Sequence, residues 1–345
     1  MTESIGIAVV GTGDWGANLV RNFSALPGAR LVALCDADPQ RLAKTAAQYP
    51  GTATHARVED VAADPSVQAA VVAASAVNHH PLAKALLEAG KDVYVEKPLA
   101  LSVAHAEELV TLAAKHGRIL MTGHLLLYHP GVRYLKGLVD KGELGEVFYI
   151  YSQRVNLGKV RHDENALWSF APHDLSVILH LLGAEPVDVV ARGSAFLQGS
   201  VEDVVFVDLR FPGGKMAHVH VSWLDPHKLR KVTVVGSQKM VVFDDMEASE
   251  KIRIYDKGVD RAGQVVSYGD ALTVRSGDIV IPKISLQEPL KLECQHFVDC
   301  VRERRTPLTD GADGLRVVKV LAAAQASLEA GGAPVAVTPL AAGVS

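Results

Sequence analysis

Gly11-Thr12-Gly13-Asp14-Trp15-Gly16 stands between an apolar run, residues 4–10, and a segment with helical spacing from Gly16 to Leu26, where Leu19, Phe23 and Leu26 share one face. The spacing predicts a strand that turns directly into a helix. Three glycines so placed have separate physical jobs. Gly11 permits the tight turn, Gly13 lets the backbone approach a phosphate, and Gly16 lets the helix pack close to the strand. The start of the helix supplies unpaired N–H groups and a partial positive charge. A second apolar run, Arg30 to Cys35, ends on Asp36, roughly 20 residues after the last glycine, where a dinucleotide fingerprint carries an acidic residue.

A carboxylate at Asp36 can accept hydrogen bonds from both ribose hydroxyls of an adenosine and would repel a 2′-phosphate. Asp38 adds negative charge nearby. The expected cofactor is therefore NAD. Strands and helices then alternate to residue 122: a strand at 67–73, a helix at 81–89 closed by Gly90, a strand at 92–96, a helix at 102–116 capped by Ser102 and closed by Gly117, and a strand at 119–122. Such alternation predicts a Rossmann-type, doubly wound parallel sheet over residues 1–122.

The pattern changes near Gly145, after a helix at 134–141. Strand follows strand at 147–156, 187–197, 204–211, 216–223, 229–235 and 240–244, many alternating apolar with polar residues. Residues 123–345 are expected to form an α+β domain with a mainly antiparallel sheet, open on one face. One helix, 172–182, interrupts the run. Residues 257–288 lack periodicity and read as a long excursion. Two closing helices, 290–304 and 311–330, are expected to pack back on the first domain. An open sheet face needs a cover, so a homo-oligomer, dimer or tetramer, is expected.

Bulk numbers narrow the class. The 345 residues suit about two domains. Hydrophobic residues make up 48 % and charged residues 21 %, a globular balance. A net charge of −4 without a long basic run argues against a nucleic-acid partner. Cys35, Cys294 and Cys300 have no C-x-x-C spacing, one in a predicted strand and two on a predicted helix, so no disulfide framework is expected; His218 and His220 have no persuasive third ligand, so no metal is expected. No apolar run is long enough for a membrane span, and the cytoplasm is the expected compartment.

Glu96-Lys97-Pro98 closes a predicted parallel strand, at the sheet edge where α/β proteins bind ligands. Pro98 biases Lys97 towards extended geometry and lowers the cost of a cis bond. A lysine held beside a nicotinamide cation is disfavoured as ammonium and can accept a proton. Asn78 and His79 follow the preceding strand at the same edge. With Asp14, Trp15, Ser75, Glu96 and His124 they complete the expected cofactor contacts. Pro172 suits a first helical turn, which puts His173 at the positive end of a helix dipole and favours a neutral imidazole. Asn156, Lys159, Arg161 and Asn165 lie between the first sheet strand and this helix. Two cations and two amides there can bind anionic and hydroxylated groups of a substrate.

The glycine fingerprint, Glu96-Lys97-Pro98, Gly123-His124 with Pro130 after it, and a histidine-bearing helix followed by a sheet domain resemble the Gfo/Idh/MocA oxidoreductases over essentially the whole chain. The resemblance implies a two-domain NAD(P)-dependent enzyme acting on sugars, cyclitols and related substrates, with Lys97 and His173 as catalytic candidates. Asn156-Leu157-Gly158-Lys159-Val160-Arg161, the stretch Asp163 to Asp174, and Ser222-Trp223-Leu224-Asp225-Pro226 resemble the branch of UDP-N-acetylglucosaminuronate 3-dehydrogenases of O-antigen biosynthesis. In this reading a UDP-sugar acid is oxidised at C3. Another nucleotide sugar, a free sugar, an inositol, or a non-catalytic dinucleotide sensor are the alternatives. Aligned on His173, the position four residues earlier, where the family often carries an aspartate, holds Ser169. Serine cannot stabilise an imidazolium by charge, so proton transfer is expected at Lys97 with His173 assisting.

Overall fold

β1 (Ile5–Val10) is buried at every position, as a central strand covered on both faces must be. The structure, a computed structural model, describes residues 4–158, 160–162, 164–261 and 272–340. β1 leads through the glycine turn into α1 (Asp14–Ala25), followed by β2 (Ala29–Cys35), α2 (Pro39–Ala46), β3 (Ala53–His55), α3 (Val58–Ala63), β4 (Ala69–Val72), α4 (Ala76–Glu88), β5 (Asp92–Glu96), α5 (Val103–His116) and β6 (Leu120–Gly123). All six strands are parallel, in the order β3-β2-β1-β4-β5-β6. The order reverses between β1 and β4. That is a topological switch point, and the carboxyl ends of β1, β2, β4, β5 and β6 bring Gly11, Asp36, Ser75, Lys97 and His124 to one edge.

Then come α6 (Pro130–Asp140), β7 (Val147–Val155), α7 (Ala166–Leu182), β8 (Asp188–Ser194), β9 (Val204–Arg210), β10 (Met216–Ser222), β11 (Leu229–Gly236), β12 (Met240–Asp244), β13 (Ile252–Arg261) and β14 (Leu272–Val280). α8 (Pro289–Glu303), α9 (Gly311–Glu329) and β15 (Val335–Ala336) close the chain. The second sheet has nine strands, β14-β13-β12-β11-β7-β10-β9-β8-β15, antiparallel except for the β7–β10 pair. α7 packs on β7, β9 and β10. Tyr149, Tyr151, Phe206 and Met216 are exposed, alternating with buried Ile150, Val205 and Ala217.

The chain divides into two compact units. One runs through Tyr128 and takes up Gln287–Lys319; the other comprises His129–Leu286 and Val320–Pro339. The leading segment of the first unit ends at Tyr128, and α8 belongs to that unit. There α8 packs on α1 and β1, with Phe297 edge-on to Phe23 and to Tyr94.

Ser102 caps α5 through the His105 N–H at 3.2 Å, and Gly117 and Gly183 close α5 and α7 with φ of 61° and 60°. Three readings are corrected. α4 begins at Ala76 and α7 at Ala166, so Pro81 and Pro172 lie inside helices instead of opening them. Pro81 is exposed, and the carbonyl it leaves without an N–H can meet water. Pro172 is buried in a helix whose residues are mostly buried, and packing outweighs its local preference. The supposed excursion at 257–288 takes in the end of β13 and all of β14, an antiparallel pair with a register shift between Tyr255 and Lys257, while its residues 262–271 lie outside the described residues. That irregularity, with Gly258 and Gly277, hid the alternation.

Candidate active site

The glycine turn is built as its sequence requires. Gly11 has φ +96°, and a Cβ there would lie 2.7 Å from the Ala73 carbonyl. At Gly16 a Cβ would meet the Gly11 carbonyl oxygen at 1.9 Å, whereas around Gly13 the space is open to 4 Å. Gly13 caps α1 without any side-chain hydrogen bond, so the first N–H groups of the helix remain available to an anion. A cleft of about 350 Å³ lies against Thr12, Gly13, Asp14, Arg41 and Lys44.

Asp36 is tied into this turn. Its Oδ2 accepts from the Thr12 N–H at 2.7 Å and the Thr12 hydroxyl at 2.9 Å, and Oδ1 accepts from the Asp38 N–H at 2.9 Å. A carboxylate has about four acceptor positions. Three of them are taken by Thr12 and Asp38. Burial pushes its pKa up, but the N–H groups of Asp38 and Thr12, the Thr12 hydroxyl and the Arg41 charge outweigh burial and hold it below the usual value.

At the end of β5 the Lys97–Pro98 peptide is cis. The Glu96 carboxylate lies beneath it, accepting from Tyr94 Oη at 3.0 Å and from the Lys97 N–H at 3.3 Å. The Trp15 side chain of α1 also donates to it, and burial nonetheless raises the Glu96 pKa. Gly123 explains itself here: a Cβ would lie 2.7 Å from Tyr94 Oη and 2.9 Å from Glu96 Oε2.

Two histidines expected at the cofactor are turned into the protein. His79 is 1 % exposed, with its ring nitrogens 2.7 Å from the Pro98 carbonyl and 3.0 Å from the Ala74 carbonyl. It pins the end of β4 to the turn that carries Lys97, and burial holds its pKa down. His124 is equally buried, with Nδ1 2.7 Å from Asp313 Oδ2, and its Nε2 has no hydrogen-bond partner among the described residues. Ser75 and Asn78 stay exposed, joined by a 3.0 Å bond from Asn78 Nδ2 to Ser75 Oγ.

In the second unit, His173 is the eighth residue of α7. It is remote from the helix start, and the dipole argument for a neutral ring falls. Asp174 points away to Arg154 of β7, with Nε to Oδ2 at 2.6 Å and both side chains buried. Asn165 is the true cap of α7. Its Oδ1 accepts from the Trp168 N–H at 3.1 Å, and its Nδ2 donates to Glu202 at 2.7 Å and Gln325 at 3.0 Å. Its amide thus serves the fold. Arg161 pairs with Glu164 at 2.9 Å. The Asn156 side chain folds over Gly158, where a Cβ would lie 2.1 Å from its amide nitrogen. Lys159 lies outside the described residues. Trp223 is fully buried, edge-on to Phe170.

Arg154, Asp313 and Glu293 were missed by sequence reasoning. For Glu293 a signal existed: it is an acid inside the apolar stripe of α8. For the other two, partners 20 and 189 residues apart leave no local trace. Among the described residues no group of three or more His, Cys, Asp or Glu could hold a metal ion, and no helix is long and apolar enough to cross a membrane.

Residues 5–124 match a family model described as an oxidoreductase family with an NAD-binding Rossmann fold, and residues 132–242 match the GFO/IDH/MocA C-terminal domain. The 2,7-anhydro-N-acetylneuraminate hydratase of Mediterraneibacter gnavus is 32 % identical over 232 residues, 62 % of this chain and 60 % of that protein, so the match spans less than two thirds of that relative. The inositol 2-dehydrogenase of Pseudomonas fluorescens is 28 % identical over 344 residues, covering 95 % and 94 % of the two chains. The UDP-N-acetylglucosamine 3-dehydrogenase of Acidithiobacillus ferrooxidans is 25 % identical over 330 residues, covering 93 % and 96 %. Its solved structure superposes with a TM-score of 0.80 at 24 % identity, over 95 % of this chain and 98 % of that one.

Proposed function

Since the chain belongs to the Gfo/Idh/MocA family of NAD-binding oxidoreductases, we propose that it oxidises the C3 hydroxyl of an acidic UDP-sugar, UDP-N-acetylglucosaminuronic acid, acting in the cytoplasm in the synthesis of surface polysaccharide. The observation that carries the enzymatic reading is Lys97 at the carboxyl end of β5, on a turn held by Glu96 from below and by His79 from behind. In this reading Lys97 takes the proton of the C3 hydroxyl and His173 assists. NAD, when bound, accepts the C3 hydride. Gly11, Gly13, Gly16, Asp14, Trp15 and Asp36 would hold its adenosine and diphosphate, with Ser75, Asn78, Glu96 and Lys97 along the same edge. His79 and His124 act behind them.

Arg161, Lys159 and Asn156 are assigned to the substrate, and Asn165 shapes their loop as the cap of α7. A UDP-sugar acid offers a diphosphate and a carboxylate to two cations. The similarity to a UDP-N-acetylglucosamine 3-dehydrogenase supports this substrate class; the equal similarity to an inositol 2-dehydrogenase favours a cyclic polyol as the second reading. Reduction of NAD measured with UDP-N-acetylglucosaminuronic acid, UDP-N-acetylglucosamine, glucose and myo-inositol separates them. Arg161→Ala should raise KM for the acidic nucleotide sugar roughly 10- to 150-fold, the worth of a hydrogen bond to a charged group. It also releases the Glu164 carboxylate beside the anion. Activity on inositol or glucose alone, unchanged by this substitution, would reject the reading.

Calorimetric titration should show NAD binding more tightly than NADP, because a 2′-phosphate would face an ionised Asp36 with Asp38 close by. Equal or tighter binding of NADP would remove Asp36 from that role. A second copy of the chain is the proposed cover for the outer sheet face, where exposed Tyr149, Tyr151, Phe206 and Met216 lie on neighbouring strands.

A further inference from the structure

The connection from β7 to α7 carries Arg161 and has no ladder of its own, so its backbone groups find partners on neighbouring segments. Its beginning is tied to the end of β10: the Asn156 N–H donates to the Ser222 carbonyl at 3.1 Å and the Gly158 N–H to the Trp223 carbonyl at 3.4 Å. Its end is tied to Glu202, whose carbonyl accepts from the Ala166 N–H at 2.9 Å and whose carboxylate accepts from Asn165 Nδ2 at 2.7 Å. Between these ties, Gln198 Nε2 donates to the Arg161 carbonyl at 2.8 Å.

Gln198 stands in the turn from β8 to β9, and that turn is itself built to hold still. Phe196 and Leu197 are 69 % and 51 % exposed, so their side chains do not anchor it in a core. The Asp203 carboxylate does. It is fully buried, and its Oδ2 accepts from the Phe196 N–H at 2.6 Å and the Leu197 N–H at 2.8 Å. The Asp203 N–H donates to the Ser194 carbonyl and the Asp203 carbonyl accepts from the Trp223 N–H, each at 2.9 Å. The turn that grips the middle of the Arg161 loop is thus joined through Asp203 to the strand end that grips its start.

Arg161 needs such a grip. Glu164, three residues on, draws its guanidinium back along the loop at 2.9 Å. An incoming anion competes with that carboxylate, and it does so best when the main chain beneath the arginine is already ordered. We propose that Gln198 is a positioning residue: through the Arg161 carbonyl it holds this arginine to receive the anionic part of the substrate, which makes the turn from β8 to β9 part of the substrate site. The role rests on the reading of Arg161 as the residue that meets the substrate anion.

Gln198→Met keeps the length of the side chain and removes its N–H donors, on a turn whose fold is held by Asp203. Its KM for UDP-N-acetylglucosaminuronic acid should rise about two- to tenfold, the worth of one hydrogen bond, while kcat and calorimetric NAD affinity stay as in wild type. In an Arg161→Ala background the same substitution should add less than about twofold, because no guanidinium is left to aim. Losses that multiply in the double variant, a fall in kcat without a rise in KM, or an unchanged KM beside a raised one in Arg161→Ala would overturn the role of Gln198 and leave the substrate reading standing. Activity on inositol or glucose alone, altered by neither substitution, would instead remove the substrate reading and the role of Gln198 with it.

Discussion

Lys97→Met is expected to lower turnover by about 10²–10⁴-fold, the typical worth of a general base, while NAD affinity stays near that of wild type. Methionine keeps the length of the side chain and its apolar stem but cannot accept a proton. Pre-steady-state NADH formation and calorimetric NAD binding check the two halves of the statement. His173→Asn should slow turnover less. The carboxylate next to His173 in sequence, Asp174, is committed to Arg154, so it does not strengthen the imidazole as a base. A dead His173 variant beside an active Lys97 variant would exchange their roles.

Arg154→Ala should destabilise the second unit by about 3–5 kcal/mol, the usual result of leaving one member of a buried ion pair alone. Asp174 is fully buried and Arg154 is 7 % exposed, so no water can replace the guanidinium. The pair joins β7 to the helix that carries His173. Replacing both together, Arg154→Met with Asp174→Leu, should recover most of the loss, because the cost is the unpaired charge and not the missing bridge. Denaturant titrations of the two variants test this. A loss below about 1 kcal/mol for Arg154→Ala would mean that the Asp174 charge is solvated or neutralised in some other way.

Most of the parallel sheet was legible because β1, β2, β5 and β6 are apolar runs closed by glycine, aspartate or Lys97-Pro98, and these local signals agree with one another; β3, three residues with no apolar run, left no such signal. Pro81 and Pro172 misled for one reason: a proline predicts a helix start from local preference, whereas these two helices are held by what they pack against. Both errors fall beside candidate site residues, Asn78 and His79 in one case and His173 in the other. The carboxyl edge of the sheet was readable from strand ends alone. Which side chains face outwards along it was not. His79 and Asn78 are adjacent in sequence, yet one is buried against two carbonyls and the other is exposed. Asn165 read as a ligand because its loop carries charge; its use as a helix cap depends on Glu202 and Gln325, which no spacing reveals.

The bonds from Thr12 to Asp36 bear on how cofactor preference could change, by engineering or by drift. In the proposed cofactor mode one carboxylate both confronts the adenosine ribose and anchors the residue between Gly11 and Gly13. The two ends of the dinucleotide site are therefore coupled, and substitutions across it should not be additive. Exchanging Asp36 for a neutral residue would remove the repulsion of a 2′-phosphate and at the same time release the backbone proposed to receive the diphosphate. Such a variant would gain tolerance and lose grip together. A productive switch to NADP needs a second change that gives Thr12 a new acceptor, and single-site libraries at position 36 would be expected to miss it.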